Sequence, residues 1–379
     1  MFVHPTMPAY DISAGDLRTY LMIKALANLG ARVTFVSGGS SIAQRRQYVP
    51  ELEQAGIEVY ASDPQRCGIG PSHSSDSHPL PLESLLLARD YDAGVLSHFD
   101  LAQRYIDQFR LLSPQTALYL DTVDIHFLRE LRQAELGDDE RGRAAALAVR
   151  QSEIVTCCRC DTVFTVTEDD RQVLLGEVPK LRVEIAPSIH DVVVDSPGFE
   201  ERDGLLFVGY FGHTPNVDAM RFFVGDVFPI VRNKLPGVKL WIVGSHPTDE
   251  IYGMAGDDIE VTGFVPETRP YLDAARISIA PLRYGAGMKG KIGEAMQTGI
   301  PVVTTTIGAE GMGLEHDRDA LITDSAEEFA EQIVRLYDDR DLWMRLVENA
   351  KRRIDERYST RVVTEMLRHA YEFPEKDRG

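Results

Sequence analysis

The sequence has no long apolar run, no excess of basic residues and few cysteines. No stretch approaches the roughly 20 apolar residues that span a bilayer. The start, MFVHPTMPAY, lacks the basic and apolar regions of a signal peptide. The 379 residues include 40 Lys and Arg against 59 Asp and Glu, a net charge of −19. This composition predicts a cytoplasmic protein without a transmembrane segment that does not bind nucleic acid. Peripheral attachment to a membrane would need a local apolar or basic patch.

Metal ligands are also scarce. Three of the four cysteines crowd together as Cys157, Cys158 and Cys160, but no second Cys or His pair follows at the spacing of a zinc site. Reduced structural thiols are the favoured interpretation and zinc is the alternative. The pairs Asp138–Asp139 and Asp257–Asp258 could hold a divalent cation, although they resemble exposed turns. We therefore expect no metal and no bound cofactor.

What the sequence does contain is a regular alternation of short β-rich runs with segments of helical spacing. In the first half, Leu17, Leu21, Ala25 and Leu29 share one helix face, with Ser13 as the N-cap. The runs predicted as strands are 32–37, 57–62, 93–99, 116–121, 163–167, 183–189, and then 204–210, 239–244, 259–263, 277–282, 301–305 and 320–324. This alternation predicts an α/β protein with parallel sheets covered on both faces.

The two sets of six predicted strands imply two domains. The polar segment 191–204 separates them, and helices are predicted at 342–354 and 360–373 near the end. We expect two doubly wound, Rossmann-like domains at 1–190 and 191–355, followed by a C-terminal segment, 356–379. Ligands of such sheets bind beyond the carboxyl ends of the strands, so a cleft between the domains suits an enzyme that joins two substrates.

The most informative segment is residues 280–311, APLRYGAGMKGKIGEAMQTGIPVVTTTIGAEG. A glycine turn follows a strand and leads through Lys289 and Lys291 into a helix that carries Glu294. Glycines allow backbone N–H groups to approach an oxyanion, and a helix N-terminus adds positive potential. The segment predicts a diphosphate site, with Glu294 able to accept hydrogen bonds from sugar hydroxyls. A surface loop with solvated lysines is the alternative.

Two further segments occupy the loops that would face the cleft. Residues 8–20 lead into the first helix, where Gly15 could approach a ligand closely and Arg18 could supply a cation. This loop has no GxGxxG fingerprint, which disfavours a dehydrogenase. Asp121, Asp124 and His126 follow a predicted strand and could bind sugar hydroxyls or move protons. Simple helix capping by either aspartate remains open.

Together these segments resemble the retaining glycosyltransferases of family four, which have the GT-B fold. The resemblance rests on SAGDLRTY (13–20), YLDTVDIHFLRE (119–130), LLFVGYFGHTPNVDAMRFF (205–223), VTGFVPE (261–267) and the glycine–lysine segment 285–311. It implies metal-independent transfer of a sugar from a nucleotide-diphosphate sugar, UDP- or GDP-linked, to a hydroxyl of a glycan, lipid-linked or small-molecule acceptor. Hexosyl transfer in polysaccharide biosynthesis is the favoured subclass. A C-terminal helix would cross back onto the first domain.

The resemblance also implies roles for individual residues. The catalytic group would comprise Lys289, Lys291, Asp121 and His126. The acceptor-binding group would comprise Asp16, Arg18 and Asp124. The donor-binding group would comprise Gly15, Phe211, Gly212, His213, Phe264, Val265, Tyr284, Gly285, Ala286, Gly287, Met288 and Glu294.

Two positions depart from the family pattern. Ala286 stands where the first Glu of the Glu-x7-Glu motif is expected, and Val123 stands where many members have a His before the aspartate. A nucleotide-sugar epimerase or hydrolase of the same fold, or a silent nucleotide-sugar-binding protein, is therefore an alternative. The oligomeric state is left open.

Overall fold

The computed structural model describes residues 1–61 and 82–372. Its first half contains β1 (Phe2–His4), α1 (Ala14–Asn28), β2 (Thr34–Ser37), α2 (Ile42–Gln54), β3 (Glu58–Ala61), α3 (Leu82–Ala88), β4 (Ala93–Ser97), α4 (Phe99–Leu112), β5 (Ala117–Asp121), α5 (His126–Leu136), α6 (Glu140–Cys158), β6 (Thr162–Thr165), α7 (Glu168–Glu177) and β7 (Val183–Ile185). The strands form one parallel sheet in the order β3-β2-β1-β4-β5-β6-β7.

The second half repeats this architecture. It contains β8 (Asp203–Val208), α8 (Thr214–Phe222), α9 (Phe228–Lys234), β9 (Leu240–Val243), α10 (Asp249–Tyr252), β10 (Ile259–Gly263), α11 (Arg269–Ala274), β11 (Ala275–Ala280), α12 (Gly290–Gln297), β12 (Val302–Thr304), α13 (Thr306–Ala309), β13 (Leu321–Ile322), α14 (Ala326–Asp338), α15 (Arg340–Arg357) and α16 (Thr360–Ala370). A 3₁₀ turn (Phe199–Glu201) precedes β8 and a π-helical turn (Phe223–Val227) joins α8 to α9. The second parallel sheet has the order β10-β9-β8-β11-β12-β13.

The strands predicted from the sequence are present, with shifted ends. The largest difference is the run 183–189, of which only β7 is strand, and the last residue of the run 57–62 lies outside the described residues. The expectation of two six-strand halves is wrong, because β1 makes the first sheet seven-stranded. The first residues do indicate the end of a strand that leads into the 8–20 loop, and β1 there pairs with both β2 and β4 at the centre of the sheet.

Both sheets are covered by helices, and the order of the strands fixes where ligands can bind. In each sheet the order in which strands are added reverses once. The reversal lies between β1 and β4 in the first sheet and between β8 and β11 in the second. Loops that leave neighbouring strands in opposite directions open a crevice at this point. The loops after β1, β5, β8 and β11 carry the segments singled out in the sequence.

The last helix ties the two halves together. After α15, the backbone N–H and hydroxyl of Thr360 donate to the carboxylate of Asp191, and α16 then lies against α1. Val363, Leu367 and Ala370 are buried in the core of the first domain. This is the predicted C-terminal crossing. None of the described helices is long and apolar enough to cross a bilayer.

Candidate functional site

The N-termini of α1 and α12 meet across the cleft. A Cβ placed on Gly290, the first residue of α12, would lie 2.6 Å from Cβ of Ala14, the first residue of α1. Only a glycine allows the two helix ends to approach this closely. Because helix N-termini carry positive potential and unpaired N–H groups, the junction is a natural place for an anion.

The glycine turn before α12 packs against the loop that follows β5. Gly287 has φ +69°, and a Cβ there would lie 3.0 Å from Cβ of Asp124 and 3.1 Å from the carbonyl oxygen of Val123. Gly15 lies near the same loop, since its Cβ would be 3.9 Å from Cγ1 of Val123. Three segments far apart in sequence thus converge on one site, as the sequence analysis expected of them.

The two predicted lysines have different surroundings. Lys289 is buried, and its Nζ donates to the carbonyl oxygen of Gly287 at 2.7 Å and lies 3.9 Å from the Glu310 carboxylate. Lys289 therefore supports the glycine turn from within, and its catalytic role stays a prediction.

Lys291 is half-buried in the first turn of α12. Its Nζ donates to the side-chain oxygen of Asn216 and lies 4.6 Å from the centre of the Phe207 ring. Burial, with a contribution from Lys289, lowers the pKa of Lys291 to about 7. Asn216 is held in turn by its donation to the carbonyl oxygen of Tyr210, 2.7 Å away. The sequence segment 205–223 therefore positions Lys291, through an asparagine not singled out in the sequence.

One turn further along α12, Glu294 connects the helix to the loop after β10. Its Oε1 accepts a hydrogen bond from Thr268 at 2.6 Å, and Thr268 lies just beyond the Phe264–Pro266 turn. Burial raises the pKa of the Glu294 carboxyl, although Thr268 and Lys291 counteract the rise. Glu294 therefore lies between the N-terminus of α12 and the loop that carries Phe264.

The structure places Asp121 and Arg18 in a buried ion pair. Their side chains are 0% and 2% exposed and form a two-pronged ion pair, with N–O distances of 2.8 and 2.9 Å. Arg18 also donates to the carbonyl oxygen of Ala186. The pair anchors α1 to β5 and to the end of β7. This geometry gives both residues a structural role, and the catalytic role of Asp121 and the acceptor-binding role of Arg18 stay predictions.

Asp124 and His126 lie at the cleft in a charged cluster. Asp124 accepts from Arg129, and Nδ1 of His126 lies 3.4 Å from Asp124 and 3.7 Å from Glu153. Burial alone would raise the pKa of Asp124, but Arg129 and His126 lower it. Burial alone would lower the pKa of His126, but Glu153 and Asp124 raise it. The imidazole is thus biased towards its charged form beside a carboxylate.

Glu153 was not found from the sequence. It is fully buried on α6, and its carboxylate accepts from the backbone N–H groups of His126 and Phe127 at 3.2 and 3.0 Å. It caps α5 from a neighbouring helix, and so fixes the His126 backbone. No local pattern could reveal this contact, because the partners are 26 and 27 residues apart.

Arg132 is a second residue that the sequence did not reveal. From α5 it donates to both oxygens of Glu310, at 2.6 and 2.7 Å, and to the carbonyl oxygen of Gly285 at 2.7 Å. Nearby, the N–H of Gly311 donates to Asp169 at 2.8 Å. These contacts bind the glycine turn of the second domain to the first domain.

The remaining predicted residues surround this centre. Phe211 is buried against Phe207, and Gly212 and His213 are exposed before α8. Tyr284 is buried, and Gly285 to Met288 form the turn before Lys289. Asp16 is half-buried in the first turn of α1 and accepts from the Ser13 hydroxyl at 2.9 Å. Phe264 and Val265 follow β10. Ala286 packs its methyl group against the core of the first domain.

The clustered cysteines lie at the end of α6, Asp139 caps the start of the same helix, and Asp257 is exposed. Cys157 is buried at the end of α6, and burial raises the pKa of its thiol; burial also raises the pKa of Cys160 to about 12. Cys158 is exposed, and the fourth cysteine, Cys67, lies outside the described residues. Across residues 1–61 and 82–372, no group of three His, Cys, Asp or Glu side chains is placed to hold a metal ion.

Comparison with known proteins agrees with this architecture. Residues 202–339, which span the second sheet, match the sequence model of a family described as glycosyl transferases group 1. A Klebsiella pneumoniae protein, described as an uncharacterized 44.6 kDa protein in the cps region, is 27% identical over 168 residues. This alignment covers 42% of the present chain and 43% of the Klebsiella protein. The chain therefore matches less than half of the length of that relative.

Solved structures extend the likeness to nearly the whole chain. Sucrose-phosphate synthase from Thermosynechococcus elongatus has a TM-score of 0.73 at 14% identity, covering 98% of this chain and 97% of that one. HepE of Anabaena, in complex with UDP and glucose, has a TM-score of 0.66 at 14% identity and 98% coverage of both chains. TarM of S. aureus gives 0.62 at 17% identity, covering 76% of this chain and 58% of that one. The chain has the GT-B fold.

Proposed function

We propose that this protein is a glycosyltransferase that moves a sugar from a nucleotide-diphosphate sugar to an acceptor hydroxyl. The observation that carries the proposal is the N-terminus of α12, which has no side-chain cap, carries Lys291 in its first turn and meets the N-terminus of α1 across the cleft. The group 1 family match over residues 202–339 and the GT-B fold support it.

In the proposed reaction, the diphosphate lies on α12 and Lys291 stabilises the negative charge that develops on the leaving group. Fixed positive groups of this kind act where charge appears in the transition state, and they are strongest when water is excluded. Beside that site, Arg132 donates to the carbonyl oxygen of Gly285 and to Glu310, and Asp169 accepts from the N–H of Gly311, so contacts between the domains flank the glycine turn. Lys291 and the helix end supply the positive charge that a metal ion supplies in other transferases, which supports metal-independent transfer.

Asp124, Arg129 and His126 face the cleft from the first domain. In the proposed enzyme they contact the acceptor, because the Asp124 carboxylate can accept a hydrogen bond from a hydroxyl and a charged His126 imidazole can donate one. Retention of the anomeric configuration and a glycan or lipid-linked acceptor rest on the sequence resemblance. Hexosyl transfer rests on the same ground.

The test begins with binding. Nucleotide sugars are screened by thermal shift, since a donor at 100 times its dissociation constant should stabilise the fold by about 2.7 kcal/mol. A bound donor is then incubated with and without candidate acceptors, with and without a chelator, and the product is examined by NMR for its anomeric configuration.

The outcomes separate the alternatives raised by Ala286. Acceptor-dependent transfer supports the proposal. Release of nucleotide or an altered sugar without acceptor indicates a hydrolase or an epimerase. Donor binding without turnover on any acceptor indicates a silent binding protein, and binding of no nucleotide sugar contradicts the proposal.

A further inference from the structure

A cavity of about 650 Å³ lies between the domains, next to the loop that leads into α1. This is within the range of small-molecule sites. The first domain and the second domain both contribute to its walls. The lining residues used below are Asp11, Gln47 and Tyr48 from the first domain and Tyr252, Phe264 and Pro266 from the second.

The cavity lies where a nucleotide bound to α12 would place its base. From Gly290 to Glu294 the helix rises by roughly 6 Å, and Glu294 is bonded to Thr268, which directly follows the loop that lines the cavity. On the other side, Ile12 lines the cavity and precedes Ser13, the cap of α1, while Ser245 donates to the Ile12 carbonyl oxygen at 3.4 Å. Hydrogen-bonded contacts therefore connect the cavity walls to both helices.

The second domain supplies aromatic walls. Tyr252 and Phe264 are each 51% exposed and both line the cavity, so their rings are accessible to a ligand there. A planar base can stack on such rings whatever its identity. These walls favour a nucleobase and do not select one.

The first domain supplies a fixed carboxylate. Oδ1 of Asp11 accepts from the Tyr48 hydroxyl at 2.5 Å and Oδ2 accepts from Nε2 of Gln47 at 2.9 Å. Both partners lie on α2, so the plane of the carboxylate is set by one helix. No Lys or Arg within the described ranges forms an ion pair with Asp11. Each of its oxygens keeps a lone pair for another N–H donor.

We propose that Asp11 is a specificity-determining residue that selects a guanine base, so that the donor is a GDP-sugar. Guanine offers an N–H and an NH₂ side by side, which match the two oxygens of a carboxylate. Uracil offers one N–H between two carbonyl oxygens, and these oppose a carboxylate. The inference rests on the proposed function, since it assumes that a nucleotide binds at α12. The UDP complexes of HepE do not decide the base here, because that likeness concerns the fold.

The test compares GDP with UDP by isothermal titration calorimetry. We expect the wild-type protein to bind GDP at least tenfold more tightly than UDP. The Asp11→Asn variant should lose at least tenfold in GDP affinity while UDP affinity changes less than threefold. Asp257→Asn, which neutralises an exposed aspartate outside the cleft, is the matched control and should keep both affinities.

A second variant guards against misfolding of the loop. Tyr48→Phe keeps the Asp11 charge but removes one of the bonds that orient it, so GDP affinity should fall by roughly threefold and UDP affinity should be unchanged. Equal binding of GDP and UDP by the wild-type protein, or an unaltered GDP-to-UDP ratio in Asp11→Asn, overturns the inference and leaves the proposed function intact. Binding of neither nucleotide overturns both.

Discussion

The helices α1 and α12 begin at the same place in the cleft, but their N-termini are capped in different ways. At α1, the Ser13 hydroxyl accepts from the N–H of Asp16, an acidic residue occupies the first turn, and Arg18 is committed to a buried ion pair. At α12, Lys289 occupies the N-cap without a side-chain hydrogen bond to the helix, and the first turn carries a lysine and no acidic residue.

The contrast separates scaffold from site. At α1, the Ser13 side chain satisfies the N–H of Asp16. The N-terminus of α12 has no side-chain cap, and in the proposed enzyme a diphosphate would supply the negative charge and the acceptors there. Under that proposal, the protein caps one helix end and the substrate caps the other.

The largest expected effect comes from disrupting the buried ion pair that anchors α1. Arg18→Met leaves the carboxylate of Asp121 buried and unpaired, which typically costs about 3–5 kcal/mol. We expect the free energy of unfolding in urea to fall by that amount. The double variant Arg18→Met/Asp121→Asn should recover a large part of the loss, because it removes the stranded charge. An unchanged unfolding midpoint for Arg18→Met would contradict the anchoring role.

The next largest effect comes from removing the charge of Lys291 at the N-terminus of α12. Lys291→Met keeps the aliphatic stem over Phe207 but removes the ammonium, so kcat/KM for transfer should fall about 100-fold, which corresponds to about 2.7 kcal/mol. The fold should persist, as circular dichroism can verify. Lys239→Met removes an exposed lysine at the far end of β9 and serves as the control. Comparable activity of the two variants would remove Lys291 from the reaction.

The contact between the two helix ends can be tested by adding one methyl group. Gly290→Ala would ordinarily favour a helix, but here its Cβ would lie 2.6 Å from that of Ala14. Overpacking of this kind costs about 1–3 kcal/mol, and we expect donor affinity to fall by about tenfold. The double variant Ala14→Gly/Gly290→Ala should restore it. If the double variant binds no better than Gly290→Ala, the contact is not the cause.

Sequence reasoning reached the fold and the converging loops because both leave local signals. Strands alternate with helices, and glycines beside Lys291 stand out in an acidic chain. It did not find the contacts that join residues distant in the sequence. Arg18 and Asp121 are 103 residues apart, and Arg132 and Glu310 are 178 apart. An arginine that closes an ion pair and one that awaits a substrate look the same in a sequence.

The pH dependence of binding should report on Lys291. Burial and Lys289 lower its pKa to about 7 in the free protein, and a bound diphosphate should raise it, because the anion favours the charged form. Affinity for a nucleotide sugar should therefore be highest below pH 7 and fall above it, by at most about tenfold per pH unit. Calorimetry in buffers of different ionisation enthalpy should show proton uptake at pH 8. Lys291→Met should show none, and equal uptake in both proteins would assign the proton elsewhere.

The smallest effect tests whether the cap of α1 is only structural. Ser13→Ala removes the cap and should lower the free energy of unfolding by about 1 kcal/mol. Ser325→Ala removes the equivalent cap of α14, where the serine accepts from the N–H of Glu328 away from the cleft, and should cost a similar amount. If α1 is scaffold, both variants bind the nucleotide with affinities within twofold of the wild-type protein. A tenfold change in Ser13→Ala alone would mean that the end of α1 also takes part in binding the diphosphate, and the difference between the two helices would then be one of degree.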